Sequence, residues 1–279
     1  MIEAKTQRGV ADRSRAVPRA SSDERQPFPI LRPREGGLAE RAAGSLRALH
    51  PAIVFLVVML VGLAAAAALS IGLGLLTTRV LEPNWGIGAT DEHFNTWLAA
   101  HRTGSRTEAS LIGSIVAGGV VLPIVVASIA ILAALLRKWR IAAFAVFALG
   151  VESASYRATT LVVHSHRPRV VRLEYLPVNA SYPSGHTAAA IAVYGGIALL
   201  LTSRFTSGAF RASAWTIAAA VVAFVALSRM YRGMHHPLDV AGGVVVGIAA
   251  LIVIVFACRT AGAAADARDA KQARAGGKS

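Results

Sequence analysis

The chain stays polar and irregular for about its first 45 residues, then breaks into long apolar runs separated by short clusters rich in Arg, Pro, Ser and Gly. A run of roughly 18 or more apolar residues is long enough to cross a hydrocarbon core, where only an internally hydrogen-bonded helix hides every amide. Six runs qualify or nearly so, at about 52–76, 111–136, 141–163, 185–201, 214–230 and 238–257. The pattern predicts an all-α polytopic membrane protein, a bundle of six transmembrane helices. The fourth and fifth runs are the shortest, so burial against neighbouring helices is expected to supply what lipid exposure does not. Between the first two runs, Phe94, Trp97 and Leu98 share one helical face. That segment reads as an extracytoplasmic interfacial helix, anchored at the surface or guiding a lipid tail. Gly243-x3-Gly247 in the sixth run permits close approach of another helix.

Composition supports the membrane reading: 279 residues with 54% hydrophobic content and a mean hydropathy of +0.53 are too apolar for an ordinary soluble domain. The net charge of +14 invites a nucleic-acid partner, but no basic stripe with interleaved aromatics occurs, and none is expected. The positive residues follow membrane topology instead. Arg32, Arg34, Arg41 and Arg47 precede the first run, Arg137, Lys138 and Arg140 follow the second, and Arg204 and Arg211 follow the fourth. Arg259, Arg268, Lys271, Arg274 and Lys278 close the chain. The positive-inside rule makes all four segments cytoplasmic, so both termini are expected inside a cell membrane crossed six times. The expected organisation is a disordered basic cytoplasmic tail over 1–48, a membrane domain over 49–258 and a second disordered tail over 259–279. The first run begins too late and is too long for the apolar core of a signal peptide, so it is expected to remain as an anchor. Cys258 is the only cysteine, which excludes an internal disulfide and a cysteine metal cluster.

With this topology, the loop between the third and fourth runs and the loop between the fifth and sixth lie on the same, outer side. The first carries His164, His166, Arg167, Arg169, Arg172 and then Pro183-Ser184-Gly185-His186; the second carries Ser228-Arg229-x5-His235-x3-Asp239. Two motifs about forty residues apart in sequence are thereby expected to meet in one pocket at the membrane surface. Its arginines run against the orientation rule, and a guanidinium fork matches phosphate oxygens, so Arg167 and Arg229 are candidate anion clamps. Arg169 and Arg172 either join them or pair with Glu174 or water. Ser184 and Gly185 ahead of a helix offer a hydroxyl and backbone amides at a positive helix end, with His186 in the first turn. Ordinary capping explains the same residues. The four-residue step from His235 to Asp239 lets a carboxylate meet an imidazole, fix its tautomer and leave the other nitrogen free to attack. A capping role for both is the alternative, and His236 adjoins but lacks that spacing.

Together these residues resemble the type 2 phosphatidic acid phosphatase and vanadium haloperoxidase superfamily. Its signature is a lysine, six residues and Arg-Pro, then Pro-Ser-Gly-His, then Ser-Arg-x5-His-x3-Asp. The second and third parts are complete and correctly separated, Arg167-Pro168 is present, and the resemblance covers roughly residues 50–258. Thr160 stands where the family has its lysine. Arg157, one turn deeper, either replaces that phosphate ligand or pairs with Glu152 or another helix. The resemblance implies a cofactor-free, metal-independent phosphohydrolase. His235 would attack phosphorus to form a phosphohistidine, Asp239 would orient it, and His186 would protonate the leaving alkoxide and then activate water. Arg167, Arg229, Ser184 and the Gly185 amide would hold the phosphoryl oxygens. The implied substrate is a phosphomonoester or diphosphate on a lipid or polyprenyl anchor, met at the extracytoplasmic face of the bilayer. The haloperoxidase branch shares the pocket but not the six spans. A catalytically weak phosphate-lipid binding protein or transporter is the alternative, favoured by the missing lysine and opposed by the complete His235, Asp239 and His186 set.

Overall fold

The computed structural model describes residues 28–175 and 178–276. A 3₁₀ turn at Pro29–Leu31 leads into α1 (Leu38–Ser45). Helix α2 opens at Pro51, where the missing proline N–H needs no partner, and runs through a π-helical stretch at Thr77–Leu81 to Asn84. Gly86, at φ 67°, turns the chain into α3 (Ile87–Ala100), followed by α4 (Gly104–Val116) and α5 (Val121–Leu135). Helix α6 spans Trp139–Val162, α7 Gly185–Arg204, α8 Gly208–Tyr231 and α9 Pro237–Gly276. No strand occurs among the described residues; a single bridge pairs Ser165 with Ala180.

Helices α2, α6, α7, α8 and α9 are each long and apolar enough to cross a membrane, and α4 with α5, bent by 40°, makes a sixth where the pair is counted as one span. The molecule is an all-α polytopic membrane protein. The expected straight second span is broken at Gly118-Gly119, where two residues of poor helix propensity meet in sequence. Pro123 then falls in the first turn of α5, where its lost N–H is tolerated.

Within the segments expected as loose tails, the described residues include the Pro29–Leu31 turn, α1 and the far part of α9. Leu31 is buried with Ile141, Phe144, Leu200 and Ile254, and Arg259 donates to the Ile30 carbonyl at 2.7 Å. Helix α1 packs on the far part of α9, burying Ala43 against Ala263 and Ala264. The physical reason is composition: apolar side chains at 28–31 and alanines at 39, 42, 43, 261 and 263–265 supply a packing face and high helix propensity that overall polarity conceals. Residues 1–27 and 277–279 of the expected tails lie outside the described residues.

Helix α9 is the centre of the bundle, packed on α2, α6 and α7. In lipid no hydrophobic force drives helices together, so close fit of small residues must do so. A Cβ at Gly243 would stand 2.5 Å from the Ser184 carbonyl oxygen, and one at Gly247 2.7 Å from that of Ala188. The G-x3-G pair therefore brings α9 onto the backbone of α7. Outward side chains are apolar, among them Val61, Ile217 and Ile252, each about two-thirds exposed (67%, 65% and 64%). The end of α2, α3, the starts of α4, α7 and α9, the ends of α6 and α8, and the 163–184 loop gather at one end of the bundle. Helix α3 does more than lie at a surface: its Asp91, Glu92 and Asn95 dock on the loop between α8 and α9.

Candidate active site

The α8–α9 loop is shaped by Gly233, whose φ of 71° lets the chain reverse after Tyr231, and by Pro237, which starts α9. Between them His235 is buried. Its Nδ1 lies 2.8 Å from the Ser181 carbonyl oxygen, while the nearer Asp239 oxygen stands 3.8 Å away. A carbonyl only accepts, so Nδ1 carries the hydrogen and Nε2 the lone pair. The expected direct clasp by Asp239 is therefore replaced by one through Ser181, whose hydroxyl donates to Asp239 Oδ2 at 2.6 Å. Asp239 is the third residue of α9, and the same oxygen accepts the His236 N–H at 2.7 Å, a capping bond that holds the carboxylate off the His235 ring. Burial pushes His235 below the ordinary histidine value, against the pull of Asp239, which favours the neutral ring. Asn95, fully buried, donates from its amide to the carbonyls of His235 at 3.0 Å and Met230 at 3.2 Å.

His236 has a different environment. Its Nε2 is 3.3 Å from Glu92 and its Nδ1 3.4 Å from Asp239. Burial opposes its charge, but the hydrogen bonds and charges of those two carboxylates raise it above the usual value. It bridges α3 and α9 through Glu92 and Asp239.

Ser184 is buried as the residue before α7, its amide donating to the Asp239 carbonyl at 2.8 Å. That bond ties the two motifs together through backbone. The Ser184 hydroxyl is engaged with Thr187 Oγ1 at 3.0 Å. The first-turn amides of Gly185 and His186 have no acceptor within a helix. The Tyr182–Pro183 peptide is cis, and the Tyr182 ring fills a slot between α2 and α9, where a Cβ at Gly74 or Gly242 would come within 2.8 Å or 2.4 Å of it. Gly185 has a packing reason as well as a chemical one, since its Cβ would meet the Tyr156 ring at 3.1 Å. His186 is half-buried, and the ionisable groups around it are Arg229, His235, Glu174 and Arg167.

The two expected arginine clamps are both buried but held differently. Arg167 donates to the Met234 carbonyl and, at 2.9 Å, to that of Ala180, so its fork braces the loops. Burial pushes its guanidinium below the ordinary value. Arg229 is wholly inaccessible: its Nη1 donates to Ser114 at 2.6 Å and to both Glu174 oxygens at 2.9 and 2.7 Å. Its Nε and Nη2 are buried without a hydrogen-bond partner among the described residues. Glu174 also accepts from Arg232 Nε at 2.5 Å. Burial alone would raise this carboxyl, but the Arg229 charge and the bonds from Arg229, Ser114 and Arg232 hold it at about 2. Arg169 does not pair with Glu174; its backbone amide donates to Glu92 at 2.8 Å.

Arg157 is not brought into this cluster. It is exposed, on the side of α6 away from buried Ser155 and Thr159, and Thr160 Oγ1 donates to its carbonyl at 3.0 Å. Tyr156, also on α6, does reach the cluster: its ring lies against Gly185, and its phenol is among the groups whose charge would act on Arg167 and Arg229. Ser114, Asn95, Ser181 and Tyr156 are residues that motif reading passes over, and Glu174 entered it only as a partner for Arg169 or Arg172. One left a signal: Glu174 is the only acidic residue between Glu152 and Asp239, in a loop crowded with arginines.

The cluster thus combines a neutral imidazole with a fixed tautomer, a second histidine, helix-start amides and a guanidinium edge with unused donors. A family model described as the PAP2 superfamily matches residues 55–261. An undecaprenyl-diphosphatase of Sulfolobus acidocaldarius is 40% identical over 75 residues, 27% of this chain and 32% of that relative. The chain therefore matches about a third of the relative's length. A crystal structure described as the first transmembrane PAP2 type phosphatidylglycerolphosphate phosphatase, from Bacillus subtilis, superposes with a TM-score of 0.57 at 21% identity, covering 73% of this chain and 93% of that one. At that identity the likeness is one of fold.

Proposed function

The chain belongs to the PAP2 superfamily, and on that premise we propose that it is a membrane phosphohydrolase acting on a phosphomonoester or diphosphate carried by a lipid or polyprenyl anchor. The observation that carries this reading is Arg229, whose Nε–Nη2 edge is buried with its donors unused and whose charge acts on His186 and His235. Unspent charged donors in a buried site are costly unless an anion arrives to accept them. The Sulfolobus relative is named for undecaprenyl diphosphate and the Bacillus phosphatase for phosphatidylglycerolphosphate, and both names support a phosphorylated lipid as the substrate class.

In the proposed reaction the lone pair of His235 Nε2 attacks phosphorus, and the bond from phosphorus to the lipid oxygen breaks. Asp239 stabilises the charge that forms on the ring, acting through Ser181 and at 3.8 Å directly. His186 gives its proton to the leaving alkoxide; an incoming phosphate favours the protonated imidazole beside it. The Arg229 edge and the first amides of α7 bear the charge on the equatorial oxygens, while Arg167 positions the loops. Water, activated by His186, then splits the phosphorus–nitrogen bond and releases phosphate. The scheme uses no metal. We place the site at the extracytoplasmic face, because basic residues crowd the opposite loops.

Phosphate release from a panel of phosphorylated lipids by detergent-purified protein tests the reading. Wild type should release phosphate in the presence of chelator, and His235→Ala should lose at least about 10³-fold. Equal turnover by His235→Ala removes the nucleophile assignment. In intact cells an impermeant thiol reagent should label Asn179→Cys and not Ser207→Cys; the reverse would put the site on the cytoplasmic side.

A further inference from the structure

We propose that Glu174 is a positioning residue that aims Arg229 at the phosphoryl group, a role that rests on reading Arg229 as a phosphoryl ligand. A guanidinium binds phosphate best through two parallel N–H bonds from one edge. Arg229 has its Nη1 end occupied by three acceptor atoms, the two Glu174 oxygens and Ser114 Oγ, all within 2.9 Å. Its Nε–Nη2 edge is buried and unused. Glu174 is anchored in turn by Arg232, whose other nitrogens donate to Ser110 at 3.1 Å and to the Leu173 carbonyl at 3.1 Å. The chain Arg232–Glu174–Arg229 thus fixes one end of the fork from two helices and a loop and leaves the other end free. The same carboxylate compensates one of the two buried cations Arg229 and Arg232, so that the pair does not carry two uncompensated charges.

The competing role is a plug, in which Glu174 sits in the phosphate's place and is expelled by substrate. The contacts oppose it: a plug would occupy the paired Nε–Nη2 edge, and Glu174 holds only Nη1.

The two roles differ in the sign of one measurement. Taking an anion away from beside an anion site tightens phosphate binding on charge alone, and a plug's removal does so twice over. Loss of a positioning residue weakens it. Inorganic phosphate affinity of the purified full chain should fall about 10-fold or more in Glu174→Ala, and less in Glu174→Gln, which keeps one acceptor oxygen. Ser114→Ala, which removes an anchor without changing charge, should also weaken binding. With a lipid substrate, kcat per folded molecule should fall in Glu174→Ala by more than KM rises; a residue needed only for folding would lower yield and leave both constants alone. Unchanged or tighter phosphate binding in Glu174→Ala and Glu174→Gln overturns the proposal, as does a wild-type protein that binds no phosphate. Weaker binding by the variants in a protein that releases phosphate from no lipid upholds the positioning role and sinks the phosphatase reading.

Discussion

At the motif end of the bundle, side chains hold backbone. Asn95 donates to the carbonyls of Met230 and His235, Arg102 to those of Tyr231 and Val171, Arg167 to those of Met234 and Ala180, and Arg232 to that of Leu173. At the opposite end the Pro29–Leu31 turn and α1 are held mainly by apolar contact, with Leu31 in one cluster and Ala43 against Ala263 and Ala264 in another. The difference follows from what each end contains. The motif end is built of loops, whose buried carbonyls have no ladder or helix to accept them into and must be met one at a time. Each such bond fixes a direction as well as a distance. Apolar packing fixes volume and tolerates small shifts. Chemistry that needs an imidazole nitrogen and a guanidinium edge aimed at one point is therefore placed where hydrogen bonds set the backbone.

The contrast can be broken by one substitution at each end. Asn95→Leu keeps nearly the same volume and removes the amide that meets two carbonyls. The freed His235 carbonyl should let the loop shift, and turnover per folded molecule should fall about 10- to 10²-fold, since misplacement by an ångström has that effect. Leu31→Ala should do the reverse. Loss of a buried leucine is expected to destabilise by about 2–5 kcal/mol, visible as a lower midpoint of thermal unfolding in detergent, with kcat of the folded fraction within about twofold of wild type. If Asn95→Leu lowers stability alone, or Leu31→Ala lowers kcat, the division between the two ends does not hold.

Sequence pattern revealed the spans because a hydrocarbon core imposes one length and one polarity on every crossing helix, and it failed where local chemistry competes. The second span reads as continuous in hydropathy, since Gly118 and Gly119 hardly interrupt an apolar average yet break the helix into a pair bent by 40°. Residues 28–48 and 259–276 read as tails because charged residues interrupt any long apolar run; the buried alanines by which α1 packs on α9 are invisible to a hydropathy average. In the site, the motif residues His235, Asp239, Ser184, His186 and Arg229 do gather, as their positions at the mouths of spans required. Their partners are less legible. Nothing in a spacing of four tells that Asp239 would spend its oxygen on the His236 amide and reach His235 through Ser181. Asn95 and Ser114 lie on helices whose sequence gives no reason to suspect loops or helices more than 50 residues away. Glu174 alone is conspicuous, an isolated acid among arginines, and its pairing cannot be chosen without knowing which guanidiniums are buried.

The smallest expected effect separates burial from proximity in sequence. Arg157 and Arg229 are both arginines near the membrane edge and close to motif residues, and sequence makes both candidates for the phosphate. Arg229 is wholly inaccessible, anchored at one end and open at the other, whereas Arg157 is exposed on the outer side of α6, with Thr160 bonded to its carbonyl. A flexible exposed cation makes little difference to a buried reaction centre, because solvent screens it and holding it in one geometry costs side-chain entropy. Arg157→Ala should leave kcat and KM within about threefold of wild type, while Tyr156→Phe, which removes a hydroxyl whose charge would act on Arg167 and Arg229, should lower kcat by more than that. A 10²-fold loss in Arg157→Ala would mean that the guanidinium swings into the site when substrate binds, restoring it as the stand-in for the family's lysine and leaving Tyr156 as packing for Gly185.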